Sequence, residues 1–149
     1  MDALALTAAR QVGAATSTVL SCGTDLAYRH HDHHLRAPHP AGVVVSEYPP
    51  GTPTRPRRVG AAHRLLAALS RAIVLVEADP NCANAAAVMW AQRLGRYAYA
   101  VPGPITSPTD RDPHFLIADR DVTPLASPRD IHLLAGDLPT EPFAREENS

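Results

Sequence analysis

The chain has 149 residues and a mass of 15.9 kDa, with 45% hydrophobic and 19% charged residues and a formal net charge of -1. This is the length of one domain with enough apolar residue for a packed core. It excludes a polybasic arm and an acidic disordered chain, and no run of about 18 uninterrupted apolar residues supplies a membrane span.

All 14 cationic side chains are Arg, and they are unevenly spread. Residues 1–47 hold three Arg against four acids, 48–76 five Arg and no acid, 77–109 two of each, and 110–149 four Arg against nine acids. Near-neutrality therefore conceals a local cationic patch of Arg55, Arg57, Arg58, Arg64 and Arg71. An acid-free Arg cluster is a footprint for phosphate or nucleic acid. Its other reading is a solvated loop. The start, Met1-Asp2-Ala3-Leu4, lacks the basic opening and long apolar run of a secretion signal, so the expected location is cytoplasmic. Cys22 and Cys82 match no zinc or redox spacing and are expected as reduced, small buried residues.

In chain order, the Ala- and Leu-rich residues 2–14 predict a helix ending near Gly13. Four short apolar runs follow: Ser17–Ser21, Val43–Val45, Ile73–Val76 and Tyr97–Val101. Each is β-branched or aromatic and nearly continuous, the pattern of strands buried on both faces in a parallel sheet. Helical patterns at Ala61–Ser70 and Ala83–Leu94 separate the last three runs, giving strand-helix-strand units of an α/β fold. From Ile105 the pattern weakens. Thr106–Pro113 reads as turn, a short element runs through Phe115–Ile117 and Val122–Leu125, Pro128–Leu134 suits a last helix, and 135–149 forms an acidic flexible tail.

Ligands of parallel sheets sit beyond the carboxyl ends of the strands. Here those ends are Gly23-Thr24-Asp25, Ser46-Glu47-Tyr48-Pro49, Glu77-Ala78-Asp79 and Pro102-Gly103-Pro104. Together with Thr18–Tyr28, Gly42–Pro53, His63–Ser70, Ala72–Ala78 and Ala100–Pro104, these segments resemble the DprA/Smf family of DNA-processing proteins, from residue 2 to about 131. The resemblance implies a Rossmann-like, mostly parallel sheet flanked by helices. It also implies non-enzymatic, sequence-independent binding of single-stranded DNA in recombination or transformation, with a RecA-type recombinase as a possible partner and no cofactor. Met1-Asp2-Ala3 corresponds to the middle of the family's domain, where a Gly-Ile-Asp segment opens a helix. Residues 1–134 thus resemble its second half, without the preceding strands and their Gly-Ser-Arg phosphate-contacting loop.

Two local departures weaken the expected DNA contacts. The family helix matching Ala61–Ser70 opens with two Arg, an Asn and another Arg, whereas Ala61, Ala62 and His63 precede Arg64 here. The family's Ser-Gly-Ser loop and following Thr correspond to Cys82-Ala83-Asn84 and Ala87, which removes the hydroxyls and glycine of an anion site but leaves Asn84 able to cap a helix. The nucleic-acid contacts expected are Arg55, Arg57, Arg58 and Arg64, with backbone amides near Asn84 assisting.

Other constellations point elsewhere. His30, His31, His33 and His34 around Asp32 have ligand spacing on a helix, but their expected state is an exposed cluster that takes divalent ions adventitiously. Glu47 and Glu77 occupy strand ends where related nucleotide hydrolases keep an acid, yet no Pro-Gly-Gly phosphate loop, Walker loop or Ser/His/Asp order accompanies them. They are expected to bond loop backbone or pair with Arg64. Trp90, Tyr97 and Tyr99 read as core or interface. A second function class is an interaction module: a half-domain pairing with itself or a full-length relative through an open strand edge. Nucleotide binding is a third.

Overall fold

The Ala/Leu-rich start forms helix α1 (Asp2–Gln11), and the four apolar runs form strands β1 (Thr16–Leu20), β2 (Gly42–Ser46), β3 (Ala72–Leu75) and β4 (Tyr97–Ala100). Between them lie α2 (Thr24–Ala27), α3 (Pro56–Leu69) and α4 (Ala85–Arg93), followed by a 3-10 turn (Pro108–Asp110), α5 (Arg111–Asp119) and β5 (Thr123–Pro124). The structure, a computed structural model, describes residues 2–27, 42–78, 85–120 and 122–131. The His30–His34 run, Cys82, Asn84 and the acidic tail lie outside the described residues.

Two elements differ from their sequence patterns. Helix α3 begins five residues before Ala61, because Pro56 takes the first helical position, where its fixed φ is favourable and its missing N–H costs nothing. The segment expected to be turn-like before Pro113 becomes the 3-10 turn and the start of α5. Pro113 is accepted there because the first-turn amides have no intrahelical partner, and it is among the largest fully buried side chains.

All described strand pairs are parallel. Thr16 to Leu20 face Gly42 to Ser46, Ala72 to Leu75 face Tyr97 to Ala100, and Tyr99 and Ala100 face Thr123 and Pro124. They form two sheets, β1-β2 and β3-β4-β5. Helix α3 bridges them, packing on α4 and touching β1.

The core lies almost wholly in the second sheet and its helices. Ala67, Ile73, Leu75, Val88, Ala91, Ala100, Leu116 and Val122 form one buried cluster, with Trp90 packed against it. Each buried Ile, Leu or Val of this cluster contributes about 1.5–3 kcal/mol, and each Ala less. The expectation of burial on both strand faces is corrected: Ile73 and Leu75 are buried, but Val74 between them is 43% exposed, Tyr97 51% and Val43 55%. Period-2 alternation along β3 turns Val74 to the opposite face from Ile73 and Leu75, which join the cluster, while Tyr97 opens β4 and Val43 lies in the sheet outside the cluster.

Strands β1 and β3 are both edge strands. A cavity of about 610 Å³ is lined by every residue from Ala72 to Val76 together with Leu4, Ala8, His63 and Leu66. One of about 400 Å³ is lined by every residue from Thr16 to Val19 together with Ala5, Ala9 and Leu66. Successive strand side chains point to opposite faces, so a cavity touched by consecutive residues lies beside the edge. The two cavities share Ala5 and Leu66, which places one cleft between the open edges of the two sheets. Among the described residues no helix is long and apolar enough to cross a membrane.

Candidate nucleic-acid interface

At the carboxyl ends of β1 and β2, polar side chains and backbone stitch two loops into one shelf. The Gly23 N–H donates to the Thr52 carbonyl at 2.9 Å, and the Gly51 N–H to Asp25 Oδ1 at 2.9 Å. Ser46 Oγ donates to the Cys22 carbonyl at 2.7 Å and accepts from the Tyr48 N–H at 3.0 Å, while Ser21 and Thr54 hydroxyls meet at 3.2 Å. Gly23 is required by space: a Cβ there would stand 2.6 Å from the Pro49 carbonyl oxygen. Cys22 is a free thiol and half-buried, less enclosed than its sequence context suggests.

The shelf leads directly into α3, so the Arg run is not a flexible spacer. Arg55 is the N-cap, with extended backbone and no side-chain capping bond, and Arg57 and Arg58 sit in the first turn, which contains no acid. The Arg55 and Arg57 side chains are exposed and make no hydrogen bond or ion pair among the described residues, while the Arg55 carbonyl accepts the Arg58 and Val59 amides. Cations at a helix N-terminus oppose the macrodipole, costing about 0.3–1 kcal/mol each, whereas an anion is favoured there. The sequence concentrates positive charge where it stabilises the helix least and a phosphate most.

The remaining Arg are differently placed. The Arg58 guanidinium lies 5.2 Å from the Tyr48 ring centroid, and its Nη1 donates to the Pro53 carbonyl. Arg64 Nη2 donates to Glu47 Oε1 at 2.5 Å, realising the expected carboxylate pairing. With side chains 43% and 35% exposed, that pair is worth about 0–1 kcal/mol, so a phosphate can compete for Arg64. Arg71 lies past the opposite end of the 14-residue α3, about 20 Å away along the axis. Three of the five Arg in the cluster, Arg55, Arg57 and Arg58, therefore share the N-terminal end of the helix, and Arg64 stands about 12 Å further along it, tied to Glu47.

The carboxyl ends of β3 and β4 form a closed corner. The Ala78 N–H donates to the Thr109 carbonyl at 2.9 Å, and His114 Nε2 lies 2.9 Å from the Gly103 carbonyl oxygen. A Cβ at Gly103 would run into the Asp110 carboxyl group, which is buried. Glu77 is exposed at the mouth of the cleft and joins no acid-base pair among the described residues. No group of three His, Cys, Asp or Glu suited to a metal occurs among the described residues. Tyr99 is buried and stacks on the exposed Tyr97 at 6.5 Å, while Arg93 lies over Trp90.

Tyr48 is the residue of the patch that sequence reasoning passed over. In the sequence it is one letter of a strand-end motif, ten residues from Arg58, with no periodicity to join them.

The chain matches the family model of DNA recombination-mediator protein A over residues 1–134. It is 38% identical over 118 residues to a DNA processing protein DprA of Mycobacterium tuberculosis H37Rv, and 30% identical over 119 residues to protein Smf of Escherichia coli K12. Each alignment covers 78% of this chain but 30% and 32% of those proteins, so the chain spans about a third of the curated relatives it matches. The structure of DprA from Streptococcus pneumoniae superposes with a TM-score of 0.75 at 27% identity, covering 87% of this chain and 46% of that one. DprA from Helicobacter pylori, whose structure describes a single-stranded DNA binding mode, shares the fold with a TM-score of 0.74 at 16% identity, covering 91% and 73%. The fold is therefore Rossmann-like α/β, and this chain belongs to the DNA recombination-mediator protein A family, DprA/Smf.

Proposed function

We propose that this family member binds single-stranded DNA without sequence preference, as a non-enzymatic module in DNA recombination. The supporting observation is the acid-free positive end of α3, where Arg55 and Arg57 are exposed beside the hydrogen-bonded shelf with Arg58 next to them, and Arg64 follows about two turns along the helix. Each phosphate neutralised by Arg releases counterions, so affinity falls steeply with salt. Backbone amides near Asn84 are further proposed contacts. A role in transformation, cytoplasmic location and a RecA-type recombinase partner extend this proposal from the family resemblance. Binding of labelled oligo-dT across a salt series tests it: Arg57→Ala with Arg58→Ala weakens binding and flattens the salt slope. Wild type that fails to retain oligo-dT at low salt refutes it.

A second reading is pairing with another copy or a longer relative, favoured by the cleft between the open edges of β1 and β3. Thr16 Oγ1, buried beside that cleft, has no hydrogen-bond partner among the described residues. A monomer in sizing chromatography at micromolar concentration, unchanged by a longer relative, rules it out.

A further inference from the structure

Tyr48 lies inside the cationic patch, half-buried, with its backbone N–H held by Ser46 Oγ. The Arg58 guanidinium lies over its ring, and Arg58 Nη1 is also anchored on the Pro53 carbonyl. The anchor matters: a surface Arg engaged only with water samples many rotamers, whereas this one presents a positioned plane beside a positioned ring. The exposed Arg57 is its chain neighbour, and Arg55 caps the same helix. A positioned aromatic-guanidinium pair bordered by exposed cations whose side chains have no partner among the described residues is chemistry for a nucleotide presenting both a base face and a phosphate. Bases stack on aromatic rings and on guanidinium planes alike.

We propose that Tyr48 and Arg58 form a base-stacking subsite within the phosphate-binding patch, which makes the patch selective for unpaired nucleic acid. This rests on the DNA-binding reading above and adds a base-dependent increment to it. Duplex DNA presents phosphates to Arg55 and Arg57 equally well, but its bases are stacked on one another and cannot reach the pair. Single strands offer both.

The test compares oligo-dT, an abasic oligonucleotide of equal length and a duplex, each labelled and titrated with the full chain at fixed salt. Wild type is expected to prefer oligo-dT over the abasic strand by about tenfold, the scale of one stacked base. Tyr48→Leu and Arg58→Lys bring that ratio to about one, and Arg58→Lys keeps the salt slope because it keeps the charge but not the plane. Tyr48→Phe keeps the ratio. Far-UV circular dichroism melts verify folding; if Tyr48→Leu does not fold, Arg58→Lys and the wild-type ratio decide alone. Equal wild-type binding of oligo-dT and abasic strand, with a steep salt slope, overturns the stacking subsite and leaves the phosphate reading standing. Absence of binding to either strand at low salt overturns both.

Discussion

The two sheets of this molecule share an architecture but are held by different means. Around β3-β4-β5 the strands, α4 and α5 converge on a buried apolar cluster that includes Leu75, Val88, Ala91 and Leu116. Around β1-β2 the strands are only partly buried, and their carboxyl ends are tied by hydrogen bonds through Asp25, Ser46, Thr52 and Thr54. Packing energy is concentrated in one region and positioned polar groups in the other. Helix α3 belongs to both: Ala67, in its last turn, is buried in the cluster, and its first turn carries the exposed Arg. The lesson is one of division: a helix end can carry unbalanced charge because its other end is secured by burial.

Leu75→Ala gives the largest contrast. It should lower stability by about 2–5 kcal/mol in urea unfolding, whereas Val44→Ala in half-buried β2 should cost about 1 kcal/mol or less. Equal losses would break the division. Gly23→Ala comes next, because the new Cβ meets the Pro49 carbonyl oxygen at 2.6 Å and the Pro50 backbone at 3.1 Å. Its cost of about 1–3 kcal/mol should be accompanied by weaker oligo-dT binding. Gly103→Ala, which meets the side chain of Asp110, should reduce stability without changing affinity. Arg57→Glu sharpens the comparison further: placing an acid in the first turn should stabilise α3 by about 0.3–1 kcal/mol while weakening oligo-dT binding. Loss of stability in Arg57→Glu would show that the positive helix end is a structural necessity.

The smallest effect lies at Asp130, whose Oδ2 accepts the Ser127 and Ala126 amides at 2.8 and 2.9 Å. Those bonds, that of Ser127 first, hold its carboxyl below the usual 3.8. A pKa lowered by folding contributes stability above the unfolded value, and that contribution is lost as pH falls through the folded value. Acid melts below about pH 3.8 should therefore show a slightly steeper loss for wild type than for Asp130→Asn.

The four strands, α1 and most of α3 and α4 were legible because each is specified within a dozen residues: β-branched runs, helical apolar spacing, Pro and Gly at the breaks. Helix α5 was less legible. Pro113 reads as a breaker unless its place in the first turn is known, and the 3-10 turn that sets that place carries no strong periodic signal. In the candidate site, the cationic character was visible by counting, but the state of each Arg was not. Glu47 and Arg64 were recognisable as possible partners from their strand-end and helix positions. Tyr48 and Arg58 were not, because their pairing depends on the turn through Pro49–Thr52.

By itself the sequence determined the parallel α/β character, the family and the acid-free Arg segment, since these reside in short-range pattern and in motifs at strand ends. Only the tertiary structure decided which Arg are engaged, that Arg71 stands apart, that Tyr48 enters the patch, and that the strands divide into two sheets with facing open edges. The physical reason is range: periodicity governs residues a few positions apart, whereas a cation's partner, or a strand's neighbour, is chosen by whichever distant segment the fold brings within bonding distance.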